Sequence, residues 1–243
     1  MEFKKVAVLG GGSWATALVK ILLDNKVDIR WWMRNEESVK HIVAYSHNPN
    51  YLSSVELHIN AKQITSDIKE AVKESDFILL ATPSAFLKDV LELIGKNELA
   101  GKTFISAVKG VIPGNNQIIG EYLNAEWGMD FSQFAVVTGP THAEEIALEK
   151  LSYLTIASQN SSLVEELHPY FGNRYVKTIP SDDIYGTEYA AVLKNIFAVA
   201  SGICHGLNYG DNFQAVLISN AIREMKAFVH CVHPINRDIK ESA

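Results

Sequence analysis

Two lysines of the sequence are candidates for the acid–base group that reduction of a carbonyl compound needs. Lys194 falls in an apolar stretch of helical pattern, and its neighbours one turn away are small or apolar: Ala190, Ala191, Phe197 and Ala198. Reduction of a ketone leaves negative charge on the carbonyl oxygen. A lysine can stabilise and protonate that oxygen if burial and a neighbouring cation lower its pKa toward neutrality. Lys194 is therefore a candidate proton donor, with Asn195 beside it to hold a substrate hydroxyl or the lysine. Most helical lysines are solvated, so a surface role stays open from these residues alone.

The second lysine, Lys109, directly follows the apolar run Thr103–Val108 and precedes Gly110. Ligands of open α/β sheets bind outside the carboxyl ends of the strands, which is where this lysine would lie. A second ammonium group there would attract an anionic substrate and lower the pKa of Lys194. The alternative is an ordinary lysine at a strand end.

A glycine-rich turn, Gly10-Gly11-Gly12-Ser13-Trp14-Ala15, comes between an apolar run and a helical pattern. It fits G-x-G-x-x-G/A, with Gly10, Gly12 and Ala15 at the three small positions. These allow a tight turn, close approach of a diphosphate and helix–strand packing, while the first amides of the helix face the anion. The turn predicts a dinucleotide site. A strand–helix turn without a ligand is the alternative.

The choice between nicotinamide nucleotides depends on the end of the second strand, about twenty positions further on. The run Ile29–Met33 ends in Arg34, with no carboxylate at its tip to accept from the ribose hydroxyls. Arg34 would pair with a 2′-phosphate, which favours NADP(H). Glu36 and Glu37 follow closely, so NAD(H) stays open, as does a solvated Arg34.

A third candidate segment is Gly139-Pro140-Thr141-His142-Ala143-Glu144, which also follows a predicted strand. Thr141 and Glu144 have the T-x-x-E spacing of a capping box, and the same loop would offer a backbone and hydroxyl cradle to a substrate. His142 is expected to be structural or on the surface. The histidines show no metal-ligand spacing on a common element, so no metal is expected.

Short apolar runs alternate with amphipathic stretches over most of the chain. Seven runs are predicted strands: Val6–Leu9, Ile29–Met33, Phe77–Ala81, Thr103–Val108, Phe134–Thr138, Tyr153–Ala157 and Tyr175–Ile179. Helices are predicted at Trp14–Asp24, Asp67–Glu74, Ala85–Ile94 and Ser162–Phe171. Several runs are apolar without alternation, which is typical of parallel strands covered on both faces. The pattern predicts an α/β fold with a doubly wound, mostly parallel sheet of the Rossmann type.

Beyond residue 181 the pattern changes to two long helical stretches, at about 184–203 and 212–229. We therefore expect a dinucleotide-binding domain over residues 1–181 and the start of an all-helical second domain over 182–243. Two helices offer little core of their own, so the second domain is expected to be incomplete.

Composition excludes several classes of partner. The 243 residues carry a formal net charge of −6 without a dense Lys/Arg block, which argues against nucleic acid or an anionic membrane surface. The longest apolar stretch, 189–207, is interrupted by Lys194, Asn195 and His205, which argues against membrane insertion. Two cysteines, Cys204 and Cys231, are too few for a disulfide framework and fit a reducing cytoplasm.

The motifs together resemble the bacterial-type NAD(P)-dependent glycerol-3-phosphate dehydrogenases, in order along nearly the whole chain. The segments that carry the resemblance are GGGSWATAL (10–18), SDFILLATPS (75–84), SAVKG (106–110), GPTHAEEIA (139–147), AVLKN (191–195) and GLNYGDNFQAVLISNAIREM (206–225). The first is shared by many dehydrogenases, whereas the substrate loop and the last two blocks are specific.

The resemblance implies interconversion of dihydroxyacetone phosphate and sn-glycerol 3-phosphate, which supplies phospholipid synthesis. It implies that Lys194 is the catalytic proton donor and acceptor. It implies nucleotide contacts for Ser13, Trp14, Arg34 and Ala143, substrate contacts for Gly139 and Thr141, and contact with both molecules for Lys109.

The family continues for roughly another quarter of its length beyond this chain, and that part carries an aspartate and an Arg-Asn pair that grips phosphate. The chain is therefore interpreted as C-terminally truncated, and its turnover is left open. Alternatives are another two-domain reductase of hydroxy acids or ketopantoate, a nucleotide-binding fragment without turnover, and a purely structural α/β domain. A homodimer is left open as well.

Overall fold

The computed structural model describes residues 3–235, and their centre is one eight-stranded sheet. The strands are β1 (Val6–Leu9), β2 (Ile29–Trp32), β3 (Ile64–Thr65), β4 (Phe77–Leu80), β5 (Thr103–Ser106), β6 (Phe134–Thr138), β7 (Ser152–Ala157) and β8 (Val176–Ser181). Their spatial order is β3-β2-β1-β4-β5-β6-β7-β8. The first six are parallel, β7 is antiparallel to β6, and β8 is parallel to β7. The predicted mostly parallel, doubly wound sheet is confirmed.

Within residues 3–235, ten α-helices cover the sheet and extend beyond it. They are α1 (Ser13–Asp24), α2 (Glu36–Tyr45), α3 (Ile68–Lys73), α4 (Leu87–Ile94), α5 (Lys96–Leu99), α6 (Ile119–Trp127), α7 (Ala143–Ala147), α8 (Ser161–Phe171), α9 (Ile184–Gly206) and α10 (Gly210–Val232). Sequence analysis did not predict α2, α5, α6, α7 or the two-residue strand β3. In α2 the reason is physical: only Ser38 and Ile42 are buried, so the apolar stripe is faint, while the Asn35 side chain caps the helix by accepting from the Glu37 and Ser38 amides.

The core consists of two apolar layers, one on each face of the sheet. In β1, Val6 and Val8 pack into one layer, while Ala7 and Leu9 pack into the other. Burial on both faces explains why this strand is apolar without alternation. No helix within the described residues is both long and apolar enough to cross a membrane.

The start of α9 is anchored to the sheet domain through a buried carboxyl group. Glu188 is 4% exposed, and its Oε2 accepts a hydrogen bond from the Gly120 backbone N–H at 3.1 Å, in the first turn of α6. The same side chain hydrogen-bonds Ser106, at the end of β5. Burial raises the pKa of Glu188 to about 8, so the group is mostly neutral at neutral pH.

Further along, α9 and α10 pack against each other but leave apolar side chains in solvent. The largest are Ile196, Val199, Ile203, Phe213, Val216, Ile218, Ile222, Phe228 and Val232, each more than a third exposed. A face of this kind is unusual in a finished globular domain.

Candidate active site

A cleft opens where β1, β4 and β5 end and α1 begins. Its lining consists of Gly12, Ser13, Trp14, Tyr51, Ala81, Thr82, Pro83, Ala107, Val108 and Lys109. Four of the predicted site residues, Gly12, Ser13, Trp14 and Lys109, therefore meet in one cleft. Its place at the carboxyl edge of a parallel sheet is where ligands of doubly wound folds bind.

The glycine turn has the backbone geometry that a bound anion requires. Gly10 adopts φ +140°, and a Cβ there would lie 2.5 Å from the Ala81 carbonyl oxygen, so only glycine fits without displacing backbone. At Gly12 an added Cβ would meet no atom within 4 Å, which shows open space on the cleft side of the turn. Gly12 is also the N-cap of α1 and has no side chain to satisfy the first amides.

Trp14 carries a second indication that a ligand belongs here. Its indole Nε1 is buried and has no hydrogen-bond partner among residues 3–235. A buried donor without a partner is costly unless a ligand or water satisfies it. The open glycine cradle and the unsatisfied indole donor both fit a dinucleotide.

Two lysines from different elements interact at this end of the sheet, and one of them, Lys109, lines the cleft. Lys109 Nζ lies 4.6 Å from the centre of the Trp14 ring, a cation–π distance. Lys194 Nζ donates a 2.7 Å hydrogen bond to the Gly139 carbonyl oxygen, which links α9 to the end of β6. Burial lowers the pKa of Lys109. Burial, and then the positive charge of Lys109, lower the pKa of Lys194 to about 8.

The neighbours of Lys194 on α9 are only partly as expected. Ala190 and Ala191 are buried, but Ala198 is exposed, so the small apolar face continues on the N-terminal side alone. Asn195 is exposed. The i+4 side of the lysine therefore faces solvent in the described residues, because no further element packs there.

The prediction that Thr141 and Glu144 form a capping box in the loop after β6 is wrong. Thr141 Oγ1 donates a 2.8 Å hydrogen bond to the Tyr153 carbonyl oxygen of β7, and Thr141 is not the N-cap that accepts from the amides of α7. His142 is the N-cap of α7 and makes no side-chain capping bond. The antiparallel β6–β7 pairing brings β7 alongside this loop, a contact that local spacing cannot reveal.

The other predicted residues of this loop lie close to the lysine pair. Gly139 passes so close to β7 that a Cβ there would lie 2.3 Å from the Tyr153 carbonyl oxygen, and its own carbonyl receives Lys194. Ala143 is buried at the start of α7. His142 is exposed, as expected for a surface residue.

Arg34 lies just beyond β2, exposed to solvent, and no ion pair to it occurs within residues 3–235. The nearby carboxylate of Glu36 pairs with Lys40 at 2.8 Å along α2. The guanidinium group is therefore available at the strand end, while one of the two competing carboxylates is engaged.

Sequence analysis missed Tyr51, which lines the same cleft as Gly12, Ser13 and Trp14. Tyr51 belongs to the irregular segment between α2 and β3. Its only sequence signal is the turn-forming pair Asn48-Pro49 a few residues earlier, which locates a turn but gives no direction toward the glycine loop.

The fold is a mostly parallel sheet with a glycine turn at its carboxyl edge and open space for an anion at Gly12. Together with the neighbouring lysines Lys109 and Lys194, these features define a dinucleotide-binding oxidoreductase. Comparison with known families is more specific. The family described as NAD-dependent glycerol-3-phosphate dehydrogenase N-terminus matches residues 5–164, and the corresponding C-terminus family matches residues 183–241. The chain belongs to the NAD-dependent glycerol-3-phosphate dehydrogenase family, which confirms the resemblance drawn from its motifs.

Individual relatives agree with this assignment. The chain is 34% identical to glycerol-3-phosphate dehydrogenase (NAD(P)+) of Macrococcus caseolyticus, covering 91% of this chain and 67% of that protein. Identity with the Bacillus subtilis protein of the same name is 35%, covering 91% and 64%. The crystal structure of glycerol-3-phosphate dehydrogenase from Coxiella burnetii superposes with a TM-score of 0.84 at 27% identity, covering 96% of this chain and 70% of that one. The chain thus spans about two thirds of the length of the curated relatives.

Proposed function

We propose that this chain carries the nucleotide site and the proton-transfer lysine of an enzyme that interconverts dihydroxyacetone phosphate and sn-glycerol 3-phosphate with NAD(P)(H), feeding glycerophospholipid synthesis. One observation carries the proposal: Lys194, held on the Gly139 carbonyl, has its pKa lowered to about 8 by burial and by Lys109, which itself lines the nucleotide cleft. An acid–base group poised near neutrality beside a dinucleotide site is what reversible carbonyl reduction needs.

Bound NAD(P)H supplies the hydride that reduces the ketone carbon. Lys194, as the ammonium, then delivers a proton from Nζ to the carbonyl oxygen, so that the ketone becomes the secondary alcohol and the amine is left neutral. In the oxidising direction the neutral amine takes the hydroxyl proton. The Gly139 carbonyl holds Nζ in place, and the Lys109 ammonium attracts the substrate anion and keeps the Lys194 pKa low.

The other residues are proposed to bind the two molecules. Gly10, Gly12, Ser13 and Trp14 would hold the dinucleotide, with Arg34 at the adenosine end, Lys109 near the reacting end and Ala143 as a further contact. Substrate would be held by Lys109, Gly139, Thr141 and Asn195. Support comes from the shared cleft of Gly12, Ser13, Trp14 and Lys109, and from the Lys194–Gly139 hydrogen bond.

The proposed substrate is tested by following oxidation of NADPH, and separately of NADH, with dihydroxyacetone phosphate or ketopantoate as acceptor. We expect consumption with dihydroxyacetone phosphate. Consumption with ketopantoate alone would contradict the proposed substrate and favour the other reductase class.

The role of Lys194 is tested by Lys194→Ala, which should abolish turnover while nucleotide affinity, measured by calorimetry, stays within about twofold. Lys194→Arg is the matched control, because it keeps the positive charge but does not release a proton near neutrality. Turnover retained by Lys194→Ala would contradict the proposed chemistry.

A second candidate function, nucleotide binding without turnover, is favoured by the apolar side chains left exposed on α9 and α10 and by the chain's two-thirds span of its relatives. In that case calorimetry would detect NADPH binding while the activity assay stays flat with every acceptor.

We also propose the division into residues 1–181 and 182–243, supported by the end of β8 at Ser181 and the start of α9 at Ile184. A cytoplasmic location is supported by the free thiols Cys204 and Cys231. Self-association into a homodimer is supported by the exposed apolar faces of α9 and α10.

A further inference from the structure

A fully buried amide side chain, which is not among the proposed site residues, hydrogen-bonds the backbone of the glycine turn. Asn48, 0% exposed, follows α2 and reaches across to the start of α1. Its Nδ2 donates to the Gly11 carbonyl oxygen at 3.2 Å and to Thr16 Oγ1 at 2.8 Å. Thr16 Oγ1 in turn donates to the Gly12 carbonyl oxygen at 2.9 Å.

All three carbonyls of the glycine turn are therefore held on the protein side. The Gly10 carbonyl accepts from the buried Trp31 indole N–H at 2.6 Å, and the Gly11 carbonyl accepts from Asn48. The Gly12 carbonyl accepts from the Thr16 hydroxyl at 2.9 Å and from the Thr16 backbone N–H at 3.0 Å. In a trans peptide the C=O and the following N–H point in opposite directions. Fixing the Gly11 and Gly12 carbonyls toward Asn48 and Thr16 therefore turns the Gly12 and Ser13 N–H groups the other way, and these two residues line the cleft.

The acceptor oxygen of the same amide holds the segment that contains Tyr51, another residue of the cleft lining. Asn48 Oδ1 accepts from the backbone N–H groups of Asn50 at 3.0 Å and Tyr51 at 3.3 Å. This forms a tight turn that carries Tyr51 to the cleft, where the residue is 47% exposed. One side chain thus joins the glycine turn to Tyr51, a second part of the cleft lining.

We propose that Asn48 is a positioning residue which, through Thr16, aims the Gly12 and Ser13 amides at the diphosphate of the dinucleotide and fixes Tyr51 at the cleft. The inference rests on the proposed function, because the ligand is the nicotinamide dinucleotide proposed there. Asn48 acts on the ligand only through the backbone and through Thr16.

The test compares variants that break the relay with variants that keep it. Thr16→Val removes the bridging hydroxyl at nearly constant shape, whereas Thr16→Ser keeps the hydroxyl. Asn48→Ala removes both the hydrogen bonds donated by Nδ2 and those accepted by Oδ1. The matched control is Asn25→Ala, because Asn25 Nδ2 also holds backbone carbonyls, those of Pro169, Tyr170 and Gly172, but lies outside the cleft lining.

Two quantities are measured for each variant: the Kd for NADPH by calorimetry and the thermal unfolding midpoint. We expect Thr16→Val and Asn48→Ala to raise the Kd about tenfold or more, since misaligned amides lose charge-assisted hydrogen bonds to the diphosphate. Thr16→Ser should restore the affinity. Asn25→Ala should lower the unfolding midpoint yet leave the Kd within about twofold.

The inference is overturned, while the proposed function stands, if the unmodified chain binds NADPH and both Thr16→Val and Asn48→Ala bind it as tightly as the unmodified chain does. It is also overturned if Asn25→Ala weakens binding as much as they do, because the effect would then be general destabilisation. Absence of NADPH binding by the unmodified chain would contradict the proposed function and this inference together.

Discussion

Lys194 and Lys109 act as a pair, because the charge of one adjusts the acidity of the other. In the proposed mechanism, reduction requires the Lys194 ammonium, whose pKa is lowered to about 8 by burial and by the charge of Lys109. The rate of dihydroxyacetone phosphate reduction should therefore fall as pH rises through about 8, while the oxidation rate should rise over the same range. Lys109→Met removes a cation, so the Lys194 pKa should rise and the falling limb should move to higher pH.

The measurement is kcat against pH in the reducing direction for the unmodified chain and for Lys109→Met. Lys69→Met is the control, because Lys69 is an exposed lysine of α3 paired with Glu98 at 3.6 Å. A profile of Lys109→Met that coincides with that of the control would rule out the electrostatic coupling.

Two glycines of the same turn should respond differently to alanine, Gly10 through stability and Gly12 through nucleotide binding. Gly10→Ala places a Cβ 2.5 Å from the Ala81 carbonyl oxygen at φ +140°, and should lower the free energy of unfolding by about 2–4 kcal/mol. Gly12→Ala meets no atom within 4 Å at φ −80°, so stability should change by less than about 1 kcal/mol. Its methyl group enters the cradle, however, and should weaken NADPH binding at least about tenfold.

Urea unfolding measures the free energy of unfolding of both variants, and calorimetry measures their affinity for NADPH. The unmodified chain is the reference for each measurement. Normal NADPH affinity in Gly12→Ala would show that the diphosphate does not lie against this turn.

At the scale of elements, Glu188 makes the contact between α6 and α9 depend on pH. Burial raises the pKa of Glu188 from its ordinary 4.5 to about 8, so between these values the folded chain holds a proton that the unfolded chain has released. The free energy of unfolding should therefore fall as pH rises from about 5 to 8. Glu188→Gln, which carries no charge, should lose this part of the pH dependence.

Urea unfolding at pH 5 and pH 8 measures the effect. Glu126→Gln, which alters an exposed carboxylate on α6, is the control and should behave like the unmodified chain. Equal pH dependence in Glu188→Gln would mean that the buried carboxyl is not the source of the effect.

At the scale of the whole molecule, exposed apolar side chains on α9 and α10 should drive association. Ile203 is 58% exposed and Val216 is 58% exposed, within a larger apolar face. We expect the sedimentation coefficient to rise with concentration for the unmodified chain and to rise less for Ile203→Glu combined with Val216→Glu. Tyr45→Glu, an exposed aromatic residue of α2, is the control. If the unmodified chain sediments as a monomer at every concentration, the proposed homodimer is contradicted.

Local pattern was sufficient for much of the fold and part of the site. The apolar runs predicted seven strands because buried parallel strands need apolar side chains on both faces, and Gly10 was recognisable because a tight turn before a helix tolerates little else. The helix α2 was not predicted, since its apolar stripe is faint and its stability comes from the Asn35 cap and packing.

What the amino-acid sequence determined by itself was the alternating α/β pattern, the glycine turn and the two lysines at suggestive positions, all features written in contiguous residues. Only the tertiary structure decided that Thr141 bonds β7 instead of capping α7, that Lys194 donates to Gly139, and that Asn48 holds the glycine turn. These contacts join residues far apart in the chain. Their partners are selected by strand order and helix packing, which no local spacing contains.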